Sequence, residues 1–302
     1  MELLLEQLIY PIFVKDGIND KEEVCSMPGV YRFSLSALIG EIKRLKGLGL
    51  NKFLIFGIPR KKDINGTSAY SADNIVSRAI EIIKKNISDI IIFSDICLCA
   101  YTTHGHCGIL NKENGIDLDL TLDVLSKIAL NHARAGADYV APSAMAKGQV
   151  RAIREVLDTY GYRGVKIMGY SVKFASSAYG PFREIADSSP RFGDRRAYQL
   201  DYKDKENALS YIESDIMSGA DILMVKPALW FLDIVSEAKK KFNKVLAVYN
   251  VSGEYLMVKK AVESRYCNEK NMVCEIMSSF KRAGADYIIT YHAKDIAEWR
   301  ME

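Results

Sequence analysis

The chain has 302 residues, 49% of them hydrophobic, with a net charge of +3. That is enough apolar material for a large core, and the mixed, nearly balanced charges argue against a nucleic-acid partner, since no basic block or basic helix stands out. No apolar run reaches the length of a membrane span, residues 1–6 are neither basic nor long enough for a signal peptide, and the six cysteines form no disulfide framework, so a reducing cytoplasm is the expected compartment.

The predicted elements alternate. Residues 8–14 read as a first strand, 34–48 as a helix ending at Gly47 and Gly49, and 53–57 as a second buried strand. The polar stretch 60–71 reads as a loop over the mouth of the domain. Residues 73–85 carry Ile75, Val76, Ala79, Ile80 and Ile83 at helical spacing. A third strand over 89–95 then leads into Asp95-Ile96-Cys97-Leu98-Cys99, with Cys107 eight residues after Cys99. The rest continues as helix 120–135, strand 137–142, helix 148–159, strand 165–170, a long loop, helix 207–217, strand 221–226, helix 229–240, strand 245–249, helices 253–262 and 269–282, and strand 286–291. The phrases Ala135-Gly136-Ala137-Asp138, Ser218-Gly219-Ala220-Asp221 and Ala283-Gly284-Ala285-Asp286 each read as a helix-ending glycine feeding a new strand.

Eight apolar strands with intervening helices predict parallel pairing, closed most economically as a (β/α)8 TIM barrel. The expectation is one barrel domain over 1–302, with a short N-terminal arm (1–7) and an active-site lid loop (171–205). An open doubly wound sheet is the alternative, but no Gly-x-Gly-x-x-Gly follows any strand.

In a barrel, chemistry belongs at the C-terminal ends of the strands. Those ends carry Asp95 and the cysteines, Lys173, Lys226, Tyr249 with Ser252, and Tyr291 with His292. Three thiolates from Cys97, Cys99 and Cys107 suit Zn2+ with one position left open. His104 and His106 remain ligands, outer donors or substrate contacts. Lys226 closes an apolar run, where desolvation and a neighbouring ammonium lower an amine's pKa, and a neutral amine attacks a ketone. Lys173, on the preceding strand end, can share its pocket. Arg183, Arg191, Arg195 and Arg196 in the long loop can close over an anionic substrate, since the guanidinium fork matches a carboxylate.

Taken together, Ser26-Met27-Pro28-Gly29-Val30, residues 95–108, Lys173-Phe174-Ala175-Ser176, Tyr179-Gly180-Pro181-Phe182-Arg183, Phe192-Gly193-Asp194-Arg195-Arg196, Met224-Val225-Lys226-Pro227 and Val251-Ser252-Gly253-Glu254 resemble the porphobilinogen synthase (5-aminolevulinate dehydratase) family. The similarity runs from about Leu8 to the end. It implies condensation of two 5-aminolevulinate molecules to porphobilinogen, with loss of two waters, in tetrapyrrole biosynthesis. The matches put Schiff bases at Lys226, for the substrate that becomes the propionate side, and at Lys173 for the other. They put zinc on the three cysteines, the second substrate's carboxylate on Arg183, Arg195 and Gln199, and the first's on Ser252 and Tyr291. Tyr249 and Tyr179 become pocket residues, and Asp95 a proton-transfer or amine-orienting group.

The resemblance also implies a homo-oligomer, with an octamer favoured, and an allosteric magnesium ion. Residues 1–6 are short for the family's arm, although Leu3, Leu4, Leu5 and Leu8 could anchor on a partner. After strand four the family reads Ser-Asp-Met-Met-Asp-Gly, where this chain has Ser143-Ala144-Met145-Ala146-Lys147-Gly148. Gly169, His292 and Trp230 also depart from the family pattern. The alternatives are another Schiff-base-forming barrel lyase or aldolase, which leaves the cysteines unexplained, and a weakly active zinc-binding homologue, which the change at 144–147 would favour.

Overall fold

The computed structural model describes residues 5–300. Ten strands form one sheet: β1 (Leu8–Lys15), β2 (Lys21–Glu23), β3 (Tyr31–Phe33), β4 (Lys52–Ile58), β5 (Ile91–Ile96), β6 (Tyr139–Pro142), β7 (Lys166–Lys173), β8 (Ile222–Lys226), β9 (Leu246–Asn250) and β10 (Tyr287–Thr290). Without β2 and β3, the strands run parallel in chain order, and β10 pairs back onto β1 through Leu8–Ile288 and Ile9–Ile289. The sheet therefore closes into the expected eight-stranded barrel. All eight expected strands are present. β4, β8 and β9 are buried along their whole length, as strands covered inside by the barrel core and outside by helices must be.

The three repeated Gly-Ala-Asp phrases have a shared mechanical role. Gly136 and Gly284 end their helices at φ 101° and 110°, which favours glycine. The aspartate that follows then clamps the strand before it. Asp138 donates its amide to Ile92 O while Ile92 N donates to its carboxylate, and the same pair of bonds joins Asp221 to Ile167 and Asp286 to Leu246. These clamps fix strand heights at the N-terminal end and so set where the opposite ends fall.

Several features were not apparent from the sequence. The β2–β3 hairpin and the last helix, Ala293–Trp299, carry too little periodicity to stand out. β7 runs to Lys173 through a register shift between Gly169 and Val172, so the connection after it starts at residue 174, later than expected. That connection contains a 3-10 turn (Ser177–Tyr179) and a short helix (Gly180–Ile185). Leu8 is fully buried in β1, which leaves nothing of it to anchor a partner, whereas Leu5 is half-buried and packs on the chain's own core. Residues 1–4 of the expected arm lie outside the described residues, and 5–7 form a 3-10 turn. Among the described residues, no helix is long and apolar enough to cross a membrane.

Candidate active site at the mouth of the barrel

β7 and β8 bring the two lysines together. Lys173 and Lys226 are register partners in the parallel ladder, and both are about 95% buried, at 6% and 5% exposure. Neighbouring residues in register point to the same side of a sheet. Lys226 Nζ lies 3.9 Å from the centroid of the Tyr249 ring, 5.2 Å from Tyr170 and from Phe182, and 5.4 Å from Tyr179. Those ring faces favour an ammonium. Burial and then the Lys173 charge hold the Lys226 amine well below the usual lysine range. Lys173 Nζ donates to Ser143 O at 2.6 Å and stands 5.7 Å from Tyr170.

Asp95 is the penultimate residue of β5 and feels the charges of both lysines. Burial pushes its carboxyl up to about 6, against the pull of a hydrogen bond from Ser143 and the charges of Lys173 and Lys226. Its Oδ1 is buried without a partner.

One residue further along, the chain turns into the cysteine loop. Cys97, Cys99 and Cys107 are all buried and reduced, and their sulfurs lie within 4.8 Å of one another, with Cys97 and Cys99 at 3.4 Å. Zn–S bonds of about 2.3 Å in a tetrahedron put sulfurs about 3.8 Å apart, so the cluster fits that ion. Hydrogen bonds from Cys97 and Cys99, then the charges of Arg195 and Lys173, hold the Cys107 thiol well below its usual range. Cys97 is pushed up as the donor partner.

The histidines are not part of that cluster. His104 Nε2 donates to Ile64 O at 3.0 Å, and its Nδ1 accepts the His106 amide at 3.0 Å. His106 Nε2 faces Phe192 O at 3.2 Å and its Nδ1 faces the Tyr198 hydroxyl at 3.3 Å. With all four ring nitrogens engaged, neither histidine has a lone pair free for a metal. A second metal-capable group, Glu269, His292 and Asp295, lies in the helix layer, and the Lys259 ammonium already bridges its two carboxylates.

Residues 174–204 follow β7 and carry Arg183, Arg195 and Gln199. Arg195, 4% exposed, donates to Gly105 O and Ser188 O. Burial draws its guanidinium down, but the Cys107 and Cys99 sulfurs more than offset this. Arg183 is held low by burial and by Arg195. The Nε atoms of both arginines and the entire amide of Gln199 are buried without partners. Arg183, Arg195 and Gln199, with three orphaned N–H groups and one orphaned amide oxygen, border a cavity of about 520 Å³ that also meets Trp230 and Tyr202. Unpartnered buried donors are costly, and a carboxylate would satisfy several at once.

The remaining expected residues are present with different burdens. Tyr249 and Tyr291 share a hydroxyl contact of 3.3 Å, which leaves one phenolic proton available. The Tyr179 hydroxyl is spent on Phe174 O and Lys226 O, so Tyr179 contributes its ring as a wall. Ser252 accepts Phe182 N at 3.0 Å and donates to Ala178 O at 3.2 Å, so it must surrender the latter bond to bind a carboxylate. Gly253 makes this approach possible: a Cβ there would sit 2.6 Å from Ala178 Cα. Ser143, Tyr170, Phe182 and Tyr198 were not anticipated as site residues. Phe182 had a signal in the Gly-Pro-Phe-Arg phrase, and Ser143 in the segment 143–148 after strand four. Ala144 and Ala146 are buried and Lys147 is exposed, while Gly169 leaves room for the Asp215 carboxylate, which a Cβ would meet at 2.8 Å.

The family model described as delta-aminolevulinic acid dehydratase matches residues 1–299. A delta-aminolevulinic acid dehydratase of Methanothermus sociabilis is 50% identical over 97% of this chain and 91% of its own length. The enzyme of that name from Synechocystis sp. is 48% identical, over 99% and 93%. A crystal structure of delta-aminolevulinic acid dehydratase (porphobilinogen synthase) from Toxoplasma gondii, in complex with the reaction product porphobilinogen, superposes with a TM-score of 0.96. It is 40% identical and covers 99% of this chain and 86% of that one.

Proposed function

The chain belongs to the delta-aminolevulinic acid dehydratase family, and from that premise we propose that it condenses two molecules of 5-aminolevulinate into porphobilinogen, releasing two waters. The observation that carries the reading is the register pairing of Lys173 with Lys226, both buried, together with the three clustered sulfurs. The Lys226 amine, neutral in this setting, attacks the ketone of the substrate that becomes the propionate side and forms an imine with loss of water. Lys173 anchors the second molecule in the same way. Two covalent anchors turn an encounter of two identical molecules into a reaction within one complex.

The two positions differ in what grips the carboxylate. Arg183, Arg195 and Gln199 hold that of the second substrate, and their unpartnered donors support this role. The free phenolic proton of the Tyr249–Tyr291 pair and the hydroxyl of Ser252 hold that of the first. The rings of Tyr249 and Tyr179 wall the Lys226 side. Asp95, facing both amines, moves or holds a proton on the reacting nitrogen. Zinc is the cation the three thiols of Cys97, Cys99 and Cys107 fit, and when bound it would supply Lewis-acid polarisation of a substrate. Residues 174–204 act as a lid that excludes water from the imines. Exposure of Lys147 supports an undisturbed cavity despite the departure at 144–147. Reduced cysteines fit the cytoplasm, and the family likeness supports a homo-oligomer, an octamer first.

Trapping with borohydride and 5-aminolevulinate, read by peptide mass, tests the reading. Adducts on Lys226 and Lys173 are expected, and none on either would overturn it.

A further inference from the structure

The cysteine loop and the lid are hydrogen-bonded into one body. Arg191 N donates to His104 O at 3.0 Å, Arg195 Nη2 to Gly105 O at 2.8 Å, and Cys107 N to the Tyr198 hydroxyl at 3.3 Å. His106 meets the same segment through Phe192 O and the Tyr198 hydroxyl. A carbonyl can only accept, so His106 Nε2 carries the proton toward Phe192, while Nδ1 meets the Tyr198 hydroxyl. Gly105 is what allows the lid to seat: its φ is +73°, and a Cβ would lie 2.3 Å from Ser189 O.

Tyr198 stands at the junction. Cys97 and Cys99 leave β5 directly, whereas Cys107 arrives from the far side of the loop, and its amide is fixed by a lid residue. Arg195, Tyr198 and Gln199 also share one turn, since Tyr198 N and Gln199 N both donate to Arg195 O. A shift of Tyr198 would therefore move the two groups assigned to the substrate carboxylate together with the third sulfur.

We propose that Tyr198, assisted by His106, is a positioning residue through which lid closure and cation binding at Cys97, Cys99 and Cys107 favour each other. The proposal rests on reading the three thiols as a cation site. Linkage makes the coupling reciprocal: whatever zinc adds to lid order, lid order adds to zinc affinity.

Tryptic cleavage after the exposed Arg191 and Arg196 reports lid opening in the intact protein. Tyr198→Phe removes only the hydroxyl, and His106→Leu is a second variant that breaks the same junction from the loop side. With zinc in excess over each protein's own Kd, measured by competition with a chromophoric chelator, zinc should slow wild-type lid cleavage by about fivefold or more, the low end of ordinary coupling. In both variants the protection should fall below about twofold, and zinc affinity should weaken by the same factor, as linkage requires. A merely structural tyrosine would speed cleavage equally with and without zinc. An unchanged ratio in the variants therefore overturns the coupling, as does zinc that binds the wild type without protecting its lid. Failure of the wild type to bind zinc would instead strike the cation-site reading itself, and the coupling with it.

Discussion

Lys173 and Lys226 stand side by side in register across β7 and β8, two buried amines on adjacent strands. Such a pair cannot comfortably carry two charges. Burial contributes most to lowering the Lys226 pKa, and the neighbouring ammonium adds to it.

That relationship fixes the sign of a pH effect. Lys173→Gln removes a like charge, so the charged form of Lys226 is penalised less and its pKa rises. The rate of reductive trapping of a keto acid at Lys226 should then reach its midpoint at higher pH than in the wild type. A midpoint that stays put or falls would mean the two amines do not share a field.

Replacing Lys226 by arginine keeps a cation but removes the nucleophile, because a guanidinium does not deprotonate in proteins. Porphobilinogen formation should drop by about a thousandfold or more, since the covalent anchor supplies much of the advantage of proximity. Peptide mass after borohydride treatment should then show an adduct at Lys173 alone. Retention of more than a tenth of the activity would remove Lys226 from its assigned role.

Gln199 is held with both amide atoms buried and unpartnered. Exchange for an apolar side chain of similar size should relieve that burden. Gln199→Leu is expected to stabilise the substrate-free protein by about 1 kcal/mol in denaturant unfolding, while raising KM for 5-aminolevulinate. A variant that is less stable and has an unchanged KM would show that the amide serves the fold rather than the ligand.

The sulfur cluster makes a prediction about metal content. Cys107→Ser should weaken zinc binding by more than the roughly 10–100-fold that loss of an outer hydrogen bond costs, measured by chelator competition. Zinc retained at wild-type affinity would place the ion elsewhere.

The barrel was legible because its signals are local. Each buried strand is a short apolar run, and the Gly-Ala-Asp phrases mark strand starts even though their clamping of Ile92, Ile167 and Leu246 is visible only in three dimensions. Lys226 stood out as a charge ending such a run. Tyr198 and Ser143 did not, because their value lies in partners far away in sequence: the Tyr198 hydroxyl meets Cys107 N, and Ser143 O meets Lys173. The roles of His104 and His106 also required the fold, since each ring is committed to a carbonyl on a different neighbouring segment. Ser252 matched a carboxylate holder by likeness, yet it also ties the segment after β7 through Ala178 and Phe182.

The account turns on two lysine amines and a thiolate-held cation working at one site. Porphobilinogen production from 5-aminolevulinate by the purified protein, followed colorimetrically before and after chelation, addresses this most directly. Product should form, stop when the metal is stripped, and resume on adding zinc. Product that appears undiminished from metal-free protein, or never appears with zinc present, would contradict it.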